Sequence, residues 1–494
     1  MEHKGKIDPI VFYVSLVLCM IFVAWGVISP ANLNSVSGAV LNYLIANFGW
    51  LYLLSAFIFL IFVIYLAVSR YGTIKLGKDN ESPEYSTFAW LAMLFTTGMG
   101  IGLVFWSVAE PMTHYINPPM GEGGTTEAAG MAMKYTFFHW GLHAWAIFAL
   151  VGLALAYFQF RKGKPGLISS VFYPILGDKV DGPIGKTIDI LAVFATIFGL
   201  GTSLGLGTQQ INSGLEYLYG IPNSPMVNII IIVVITTIFT GAAIVGIEKA
   251  IALIAKLTVY GAIGLLVFLI LFGPTRFIFN IFSETLGSYL GQIIPMSLWT
   301  DAIEQKGWSG GWTIFYWAWW IAWGPFVGQF IARISRGRTI REFVLGVLLV
   351  PTVFSVLWLS VFGGSGLFLE IVGGVDISTA VNNDMASALF VTLSNFPISS
   401  ITSVLAILLI SAFFITSADS GTFVVGMLTS KGSFEPSNWV KGIWGTILGG
   451  VAAVLLLSGG LGALQTASIV SAFPFMLVML VMMYSLLKAF SEEV

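Results

Sequence analysis

The chain has 494 residues, 57% of them hydrophobic and only 9% charged, with a mean hydropathy of +0.91. A water-soluble globular protein carries roughly a quarter of its residues as charges, so lipid has to be the solvent for most of this surface. A net charge of −2 offers no basic face to nucleic acid, and the single cysteine, Cys19 in an apolar run, excludes an internal disulfide and a cysteine-based zinc site.

A bilayer crossing needs about 20 apolar residues. Within lipid the backbone must satisfy its own hydrogen bonds, so the crossings are helices. In chain order the sequence predicts spans near 8–29, 49–69, 87–108, 138–159, 185–209 and 226–247, then 253–274, 312–334, 341–363, 400–427, 441–459 and 466–489. The chain is therefore expected to be an all-α polytopic membrane protein of twelve transmembrane helices. The first segment lacks a small-residue cleavage site and is read as retained rather than as a signal peptide. Residues 112–134, rich in Gly, Pro and Glu, predict an outward loop. Residues 276–293 place Ile278, Phe279, Phe282, Leu286, Tyr289 and Leu290 at helical spacing, which predicts an amphipathic helix at the outer interface. Ser491–Val494 leave almost no C-terminal tail.

With both termini in the cytoplasm, 19 of the 22 Lys and Arg residues fall at cytoplasmic ends, and only Lys134, Arg276 and Lys306 fall outside. Four of the inner residues, Arg333, Arg336, Arg338 and Arg341, form a cluster whose density suggests gating or subunit contacts.

Two spans carry helix-weakening sequences. The third contains Thr96-Thr97-Gly98-Met99-Gly100-Ile101-Gly102, and the eighth contains Trp323-Gly324-Pro325-Phe326-Val327-Gly328. In secondary transporters such a pair, at matching positions of two halves, points to the substrate site. Each is followed by four more spans. The expected organisation is an N-terminal tail and two extra spans in 1–86, a five-helix repeat in 87–274 (spans 3–7), an interfacial helix and linker in 275–311, and an inverted second repeat in 312–490 (spans 8–12).

Five tryptophans, Trp312, Trp317, Trp319, Trp320 and Trp323, crowd twelve positions of span 8. An interfacial belt occupies one depth, whereas this run climbs about 16 Å at 1.5 Å per residue. Trp319, Trp320 and Trp323 share one helix side. Indole faces attract cations, and a methylated ammonium is the natural ligand of an aromatic cage. Such a group donates no hydrogen bond from nitrogen and needs no carboxylate to hold it. Spans 3–12 offer no evident pair of buried carboxylates that would replace the cage.

The run Trp312–Trp320, followed by Ala332-Arg333-Ile334-Ser335-Arg336-Gly337-Arg338-Thr339, resembles the betaine/choline/carnitine transporter family over essentially the whole chain. The Gly98–Gly102 run is similar to that of the family's sodium-coupled betaine members. The resemblance implies an inverted-repeat transporter, not an enzyme, forming a homotrimer in the bacterial cytoplasmic membrane. It implies a substrate site at Trp140, Phe148, Trp319, Trp320 and Trp323, with Met99 and Gly100 at the broken backbone meeting a carboxylate. Where betaine members often have tyrosine, this chain has Phe148. Sodium as the coupling ion is implied at Thr96, Met99, Phe413, Thr416 and Ser417, and a second sodium at Thr196, whose usual threonine partner is replaced here by Leu200. The expected function is sodium-driven import of a small quaternary-ammonium solute, glycine betaine first. A proton-coupled choline carrier, a sodium-independent carnitine-type exchanger, an importer of ectoine or proline betaine, and a membrane enzyme or sensor are the alternatives. Strong osmosensing through a charged C-terminal extension is not expected.

Three further features carry less weight, the two histidines and the Glu-Pro pair as structural groups and the intramembrane carboxylates Asp189 and Asp419 as functional suspects. His139 and His143 lie at i,i+4 with no Glu or third ligand beside them, so metal binding is not expected. Asp189 and Asp419 lie in or near spans, and Glu110-Pro111 is expected to close the third span.

Overall fold

The computed structural model describes residues 5–97, 100–245 and 248–493; among them there are helices and turns but no strands beyond one isolated bridge, Lys75 to Thr339. The longer helices are α1 (Pro9–Ile28), α2 (Pro30–Val68), α3 (Thr87–Thr97), α4 (Ile101–Ile116), α5 (Thr126–Trp140), α6 (Leu142–Ala156) and α7 (Pro183–Tyr219). After these come α8 (Pro225–Val245), α9 (Glu248–Phe272), α10 (Thr275–Ser297), α11 (Phe315–Ile334), α12 (Ile340–Ile371), α13 (Ser399–Leu428) and α14 (Asn438–Ser491). Local chemistry sets several starts. Asp8 accepts from the amides of Ile10 and Val11 ahead of Pro9, and Thr339 with Glu342 forms a capping box on α12.

Among the described residues, nine helices are long and apolar enough to cross a bilayer, ten when the bent pair α3–α4 is taken as one. Helix α14 runs 54 residues but loses helical geometry at Gly459 and Gly460, which divides it into two arms where spans 11 and 12 are expected. Gly460 has φ of 57°, a conformation that favours glycine. Polarity is arranged for lipid. Every residue from His143 to Ala156 on α6 is buried, whereas α1, α8 and α9 turn large apolar side chains such as Val27, Met226 and Leu271 outward.

The breaks differ in part from expectation. Helices α3 and α4 meet at 58° across the glycine run of span 3; of that run, Gly98 and Met99 lie outside the described residues. Span 8 is not broken at Gly324-Pro325, because α11 continues through Pro325 to Ile334. Its glycines serve close packing instead. A Cβ on Gly328 would lie 2.8 Å from Val151 Cγ1 and 3.1 Å from the Gly152 amide of α6. The second break is in span 4, at Gly141 between α5 and α6, where the Leu142 amide donates to the Tyr289 hydroxyl of α10 at 3.0 Å. The 112–134 loop is also shorter than expected, because α4 runs to Ile116 and α5 begins at Thr126. The amphipathic helix is present as α10. It buries Ile278 and Tyr289 but leaves Phe279 and Leu290 about half exposed.

The arginine cluster joins two connectors. The Leu76 amide donates to the Arg338 carbonyl and the Gly337 amide to the Leu76 carbonyl, both at 2.8 Å. The Arg338 guanidinium bonds the Tyr85 carbonyl and lies 4.5 Å from the Trp90 ring centre, while Arg341 donates to the Ala67 carbonyl. The α2–α3 connector is thereby fastened to the α11–α12 turn.

A second fastening holds the end of α14. Glu493 pairs with Arg161 at 2.5 Å and Lys162 at 2.7 Å and accepts from the Tyr157 hydroxyl at 2.8 Å. Burial opposes its ionisation, but the bonds from Arg161, Lys162 and Tyr157 outweigh burial and push the carboxyl down to about 2. Its stabilising contribution is therefore complete above the unfolded value of about 4.3 and is lost as the pH falls through about 2. Glu493→Gln is expected to cost about 1–2 kcal/mol at neutral pH. In thermal unfolding of the detergent-purified protein, the gap from wild type should narrow between about pH 5 and about pH 3.

Candidate functional site

A small chamber lies where the α3–α4 break, α6 and α11 meet. Trp140, Trp145 and Phe148 form one wall and Trp319, Trp320 and Trp323 another; Gly100, Gly102 and Leu103 line the broken backbone. The rings pack on one another. Trp319 and Trp320 stack with centroids 4.8 Å apart and planes 13° apart, and Trp140 meets Trp320 edge-on at 4.9 Å. Phe148 approaches Trp320 at 6.0 Å and Trp145 at 5.4 Å.

A buried indole N–H needs an acceptor, and here each acceptor lies away from the ring faces. Trp140 donates to Glu110 Oε2 (2.8 Å), Trp319 to Ser203 Oγ (3.1 Å), Trp320 to the His139 carbonyl and Trp323 to the Gly199 carbonyl (2.9 Å each). With their donors spent elsewhere, the indoles offer the chamber π faces. Two glycines make room for this arrangement. A Cβ on Gly102 would overlap the Trp319 ring and lie 3.2 Å from Trp140 Cη2, and one on Gly199 would lie 2.9 Å from Trp323 Cδ1.

A larger cavity of about 480 Å³ adjoins the chamber, and Thr97, Trp323 and Val327 line both. Thr96, Phe413, Thr416 and Ser417, the described members of the expected sodium set, all line this larger cavity; Met99 lies outside the described residues. The Thr416 hydroxyl donates to the Ala412 carbonyl at 2.9 Å and the Thr96 hydroxyl to Met93 at 2.8 Å, which leaves oxygen lone pairs for another partner. The cavity also reaches Arg333 and Lys441 on the basic face. Thr196 is elsewhere. It is fully buried, donates to the Ala192 carbonyl at 2.7 Å and lines neither cavity. A Cβ on Gly421, one turn beyond Ser417, would overlap Leu200, so the leucine is packing against α13.

The polar groups of the interior are more connected than their spacing revealed. Glu110 does not close the third span. Helix α4 continues through Pro111, and the fully buried carboxylate of Glu110 meets His139 Nδ1 at 2.6 Å and His114 Nε2 at 3.2 Å. His139 therefore has the companions it was not expected to have. Ligand atoms of Glu110, His114 and His139 lie within 4.8 Å of one another, compact enough for a metal, although one nitrogen of each imidazole already faces the carboxylate. His143 instead bonds Ser297 Oγ at 2.8 Å and stacks on Trp317 at 5.1 Å. Asp189 accepts from the Ser169 amide and hydroxyl and holds the connector before α7, whereas Asp419 lines the larger cavity. Trp312 packs on His114 at 4.4 Å and, like Trp317, is outside the chamber. Trp145 was missed from sequence, although it lies three residues before Phe148; Ser355 carried no local signal and reaches the chamber from α12.

Gly102→Ala is expected to displace the Trp319 ring and destabilise the protein by about 1–3 kcal/mol. Gly100→Ala, with nothing within 4 Å of the added carbon, should unfold at the wild-type temperature. Thermal unfolding followed by tryptophan fluorescence measures both.

Residues 10–494 match the family model described as BCCT, betaine/carnitine/choline family transporter. A probable glycine betaine transporter of Desulfitobacterium hafniense (strain Y51) is 54% identical over 486 residues, covering 98% of this chain and 97% of that protein. The glycine betaine transporter OpuD of Bacillus subtilis (strain 168) is 51% identical over 486 residues, covering 98% and 94%. An ectoine/hydroxyectoine transporter of Virgibacillus pantothenticus is 44% identical over 492 residues, covering 99% and 98%. A family match across nearly the whole chain, two relatives above 50% identity and an interior built around stacked indoles lead to one conclusion: this chain is a multi-pass membrane transporter, not an enzyme, and belongs to the betaine/carnitine/choline transporter family.

Proposed function

We propose that the protein imports glycine betaine by sodium symport through alternating access, with twelve bilayer crossings and both termini in the cytoplasm. The observation that carries the reading is the chamber of indole faces in which the N–H groups of Trp140, Trp319, Trp320 and Trp323 are engaged elsewhere. Such a chamber attracts a trimethylammonium group, which has a charge to stabilise and no N–H to satisfy. The second half of the substrate fits the other wall. Gly102 and Leu103 belong to the first turn of α4, whose unpaired amides and positive dipole end favour a carboxylate. Relatives described as glycine betaine transporters support the same substrate.

Sodium coupling is supported by the hydroxyls of Thr96, Thr416 and Ser417 around the larger cavity, since a hard cation takes neutral oxygen ligands. Thr196 is kept out of the proposed ligand set. The cavity extends from the cage to the basic face, and the distribution of Lys and Arg supports a cytoplasmic position for that face. On this reading the conformation is open inward and shut on the outer side, where His114, Trp308 and Trp312 pack together. The family's homotrimer is retained as part of the proposal. An ectoine substrate is the second reading, carried by the relative from Virgibacillus pantothenticus.

In proteoliposomes, an inward sodium gradient is expected to accelerate glycine betaine uptake at least tenfold over potassium. Thr416→Ala combined with Ser417→Ala should abolish that stimulation, and equal uptake without sodium would sink the symport reading. Excess unlabelled ectoine, choline or carnitine should compete at least tenfold more weakly than betaine; ectoine competing as well as betaine would move the assignment to the second reading.

A further inference from the structure

We propose that Glu110 is a positioning residue of the aromatic cage: one buried carboxylate that fixes Trp140 and Tyr316 by their ring donors and lends its negative charge to the site of a quaternary ammonium. The proposal deepens the betaine reading and rests on it.

Four side chains converge on this group. Oε2 accepts from Trp140 Nε1 at 2.8 Å and from the Tyr316 hydroxyl at 2.5 Å; Oε1 faces His139 Nδ1 at 2.6 Å and His114 Nε2 at 3.2 Å. The Glu110 side chain and both histidines are wholly inaccessible to solvent. Among the described residues no lysine or arginine pairs with it. A carboxylate taken out of water is costly unless hydrogen bonds hold it, and a buried acid inside a span is a functional suspect by default. Packing alone gives no reason to bear that cost.

The consequence for the cage is direct. The Trp140 indole that donates to Glu110 meets Trp319 at 6.2 Å and Trp320 at 4.9 Å, and the Tyr316 ring meets Trp320 at 5.9 Å. The same node reaches Trp320 by another route, because its N–H is accepted by the carbonyl of His139. The negative charge therefore sits at the edge of the Trp140 ring, which lines the chamber, and of Tyr316, which packs on Trp320, in a dry interior where screening is weak. Position and charge are separable. His139 Nε2 lies 3.0 Å from the Thr313 hydroxyl, so a neutral His139 protonated at Nε2 can donate to Thr313 and accept at Nδ1. A glutamine at 110 could then accept from Trp140 and Tyr316 with its oxygen and donate to His139 with its amide. Glu110→Gln thus keeps the shape, remakes the bonds once His139 carries its proton on Nε2 rather than Nδ1 and His114 presents Nε2 as an acceptor, and removes the charge.

The test compares Glu110→Gln, Glu110→Asp and Trp320→Leu in the full-length protein. Glycine betaine binding is read by tryptophan fluorescence, uptake by its KM and maximal rate, and folding by thermal unfolding. Glu110→Gln is expected to unfold near the wild-type temperature and to raise Kd and KM at least tenfold, with a maximal rate within about threefold of wild type. Glu110→Asp, which keeps the charge, should recover most of the affinity. Binding by Glu110→Gln within twofold of wild type overturns the proposal. If that variant does not fold, Glu110→Asp decides: affinity within about fivefold of wild type supports the charge role, and loss as complete as in Trp320→Leu overturns it. Trp320→Leu tests the underlying reading separately. Should it bind betaine normally, the cage assignment fails whatever Glu110 does; should it lose binding while Glu110→Gln does not, only the present inference fails.

Discussion

An indole N–H in a water-free interior is costly to leave without an acceptor, and much of the site's construction follows from where the acceptors of Trp140, Trp319, Trp320 and Trp323 lie. Three of the four bonded cage tryptophans are on α11, yet their acceptors are Ser203 and Gly199 on α7 and the carbonyl of His139 on α5. The bonds fix ring orientation from outside the chamber. They also tie span 8 to spans 4 and 5. A rearrangement that separates α11 from α7 has to break the buried Trp319–Ser203 bond and the partly buried Trp323–Gly199 bond, and an unpaired buried donor costs about 1–3 kcal/mol. Such a separation must therefore proceed between discrete bonded arrangements rather than by gradual sliding. The glycines follow from the same requirement, since the Trp319 ring lies against Gly102 and the Trp323 ring against Gly199.

Several hydroxyls elsewhere in the interior meet the polar demand of a dry medium with local bonds. Thr196, Thr202, Thr208, Ser360 and Ser365 each donate to the carbonyl four residues earlier, so a hydroxyl can be buried in a span without a partner helix. Thr202 goes further and also contacts Ser468 at 2.8 Å, which links α7 to the second arm of α14. Thr416 and Thr96 make the same backward bond but face a cavity, and that single difference separates a packing hydroxyl from an available one.

Membrane-length helices were legible because burial in lipid demands long apolar runs, and the tryptophan run of span 8 marked the helix whose Trp319, Trp320 and Trp323 line the chamber, whereas Trp312 and Trp317 pack outside it. The sequence was less informative about backbone breaks. Gly324-Pro325 looked like an interruption, but α11 carries the proline and uses Gly328 to approach α6. The actual break at Gly141 is a lone glycine between Trp140 and Leu142, and what stabilises it, the Tyr289 hydroxyl, is 147 residues away. Glu110 was hidden for a similar reason. Glu-Pro reads as a helix end, and nothing local says that His139, Trp140 and Tyr316 fold onto that carboxylate. Contacts between distant spans decide these positions, and a single sequence does not contain them.

On the proposed role of Glu110 the two ends of the chamber differ in electrostatic sign, and this bears on selectivity. At the edge of the Trp140 ring stands Glu110, which Tyr316 also bonds; at the broken wall the first turn of α4 presents unpaired amides. A zwitterion with a trimethylammonium at one end and a carboxylate at the other is matched at both. Choline presents a hydroxyl where the amides favour an anion, and so forgoes the dipole term while still occupying the rings. Ectoine retains the carboxylate, but its cationic charge is spread over a ring that carries N–H donors. Because the four indole N–H groups are already committed and the faces accept hydrogen bonds only weakly, those donors would enter the chamber without good partners. On the proposed betaine assignment, selectivity for a fully methylated ammonium arises from the hydrogen bonds the four indoles have already spent elsewhere, as much as from the attraction of their faces for charge.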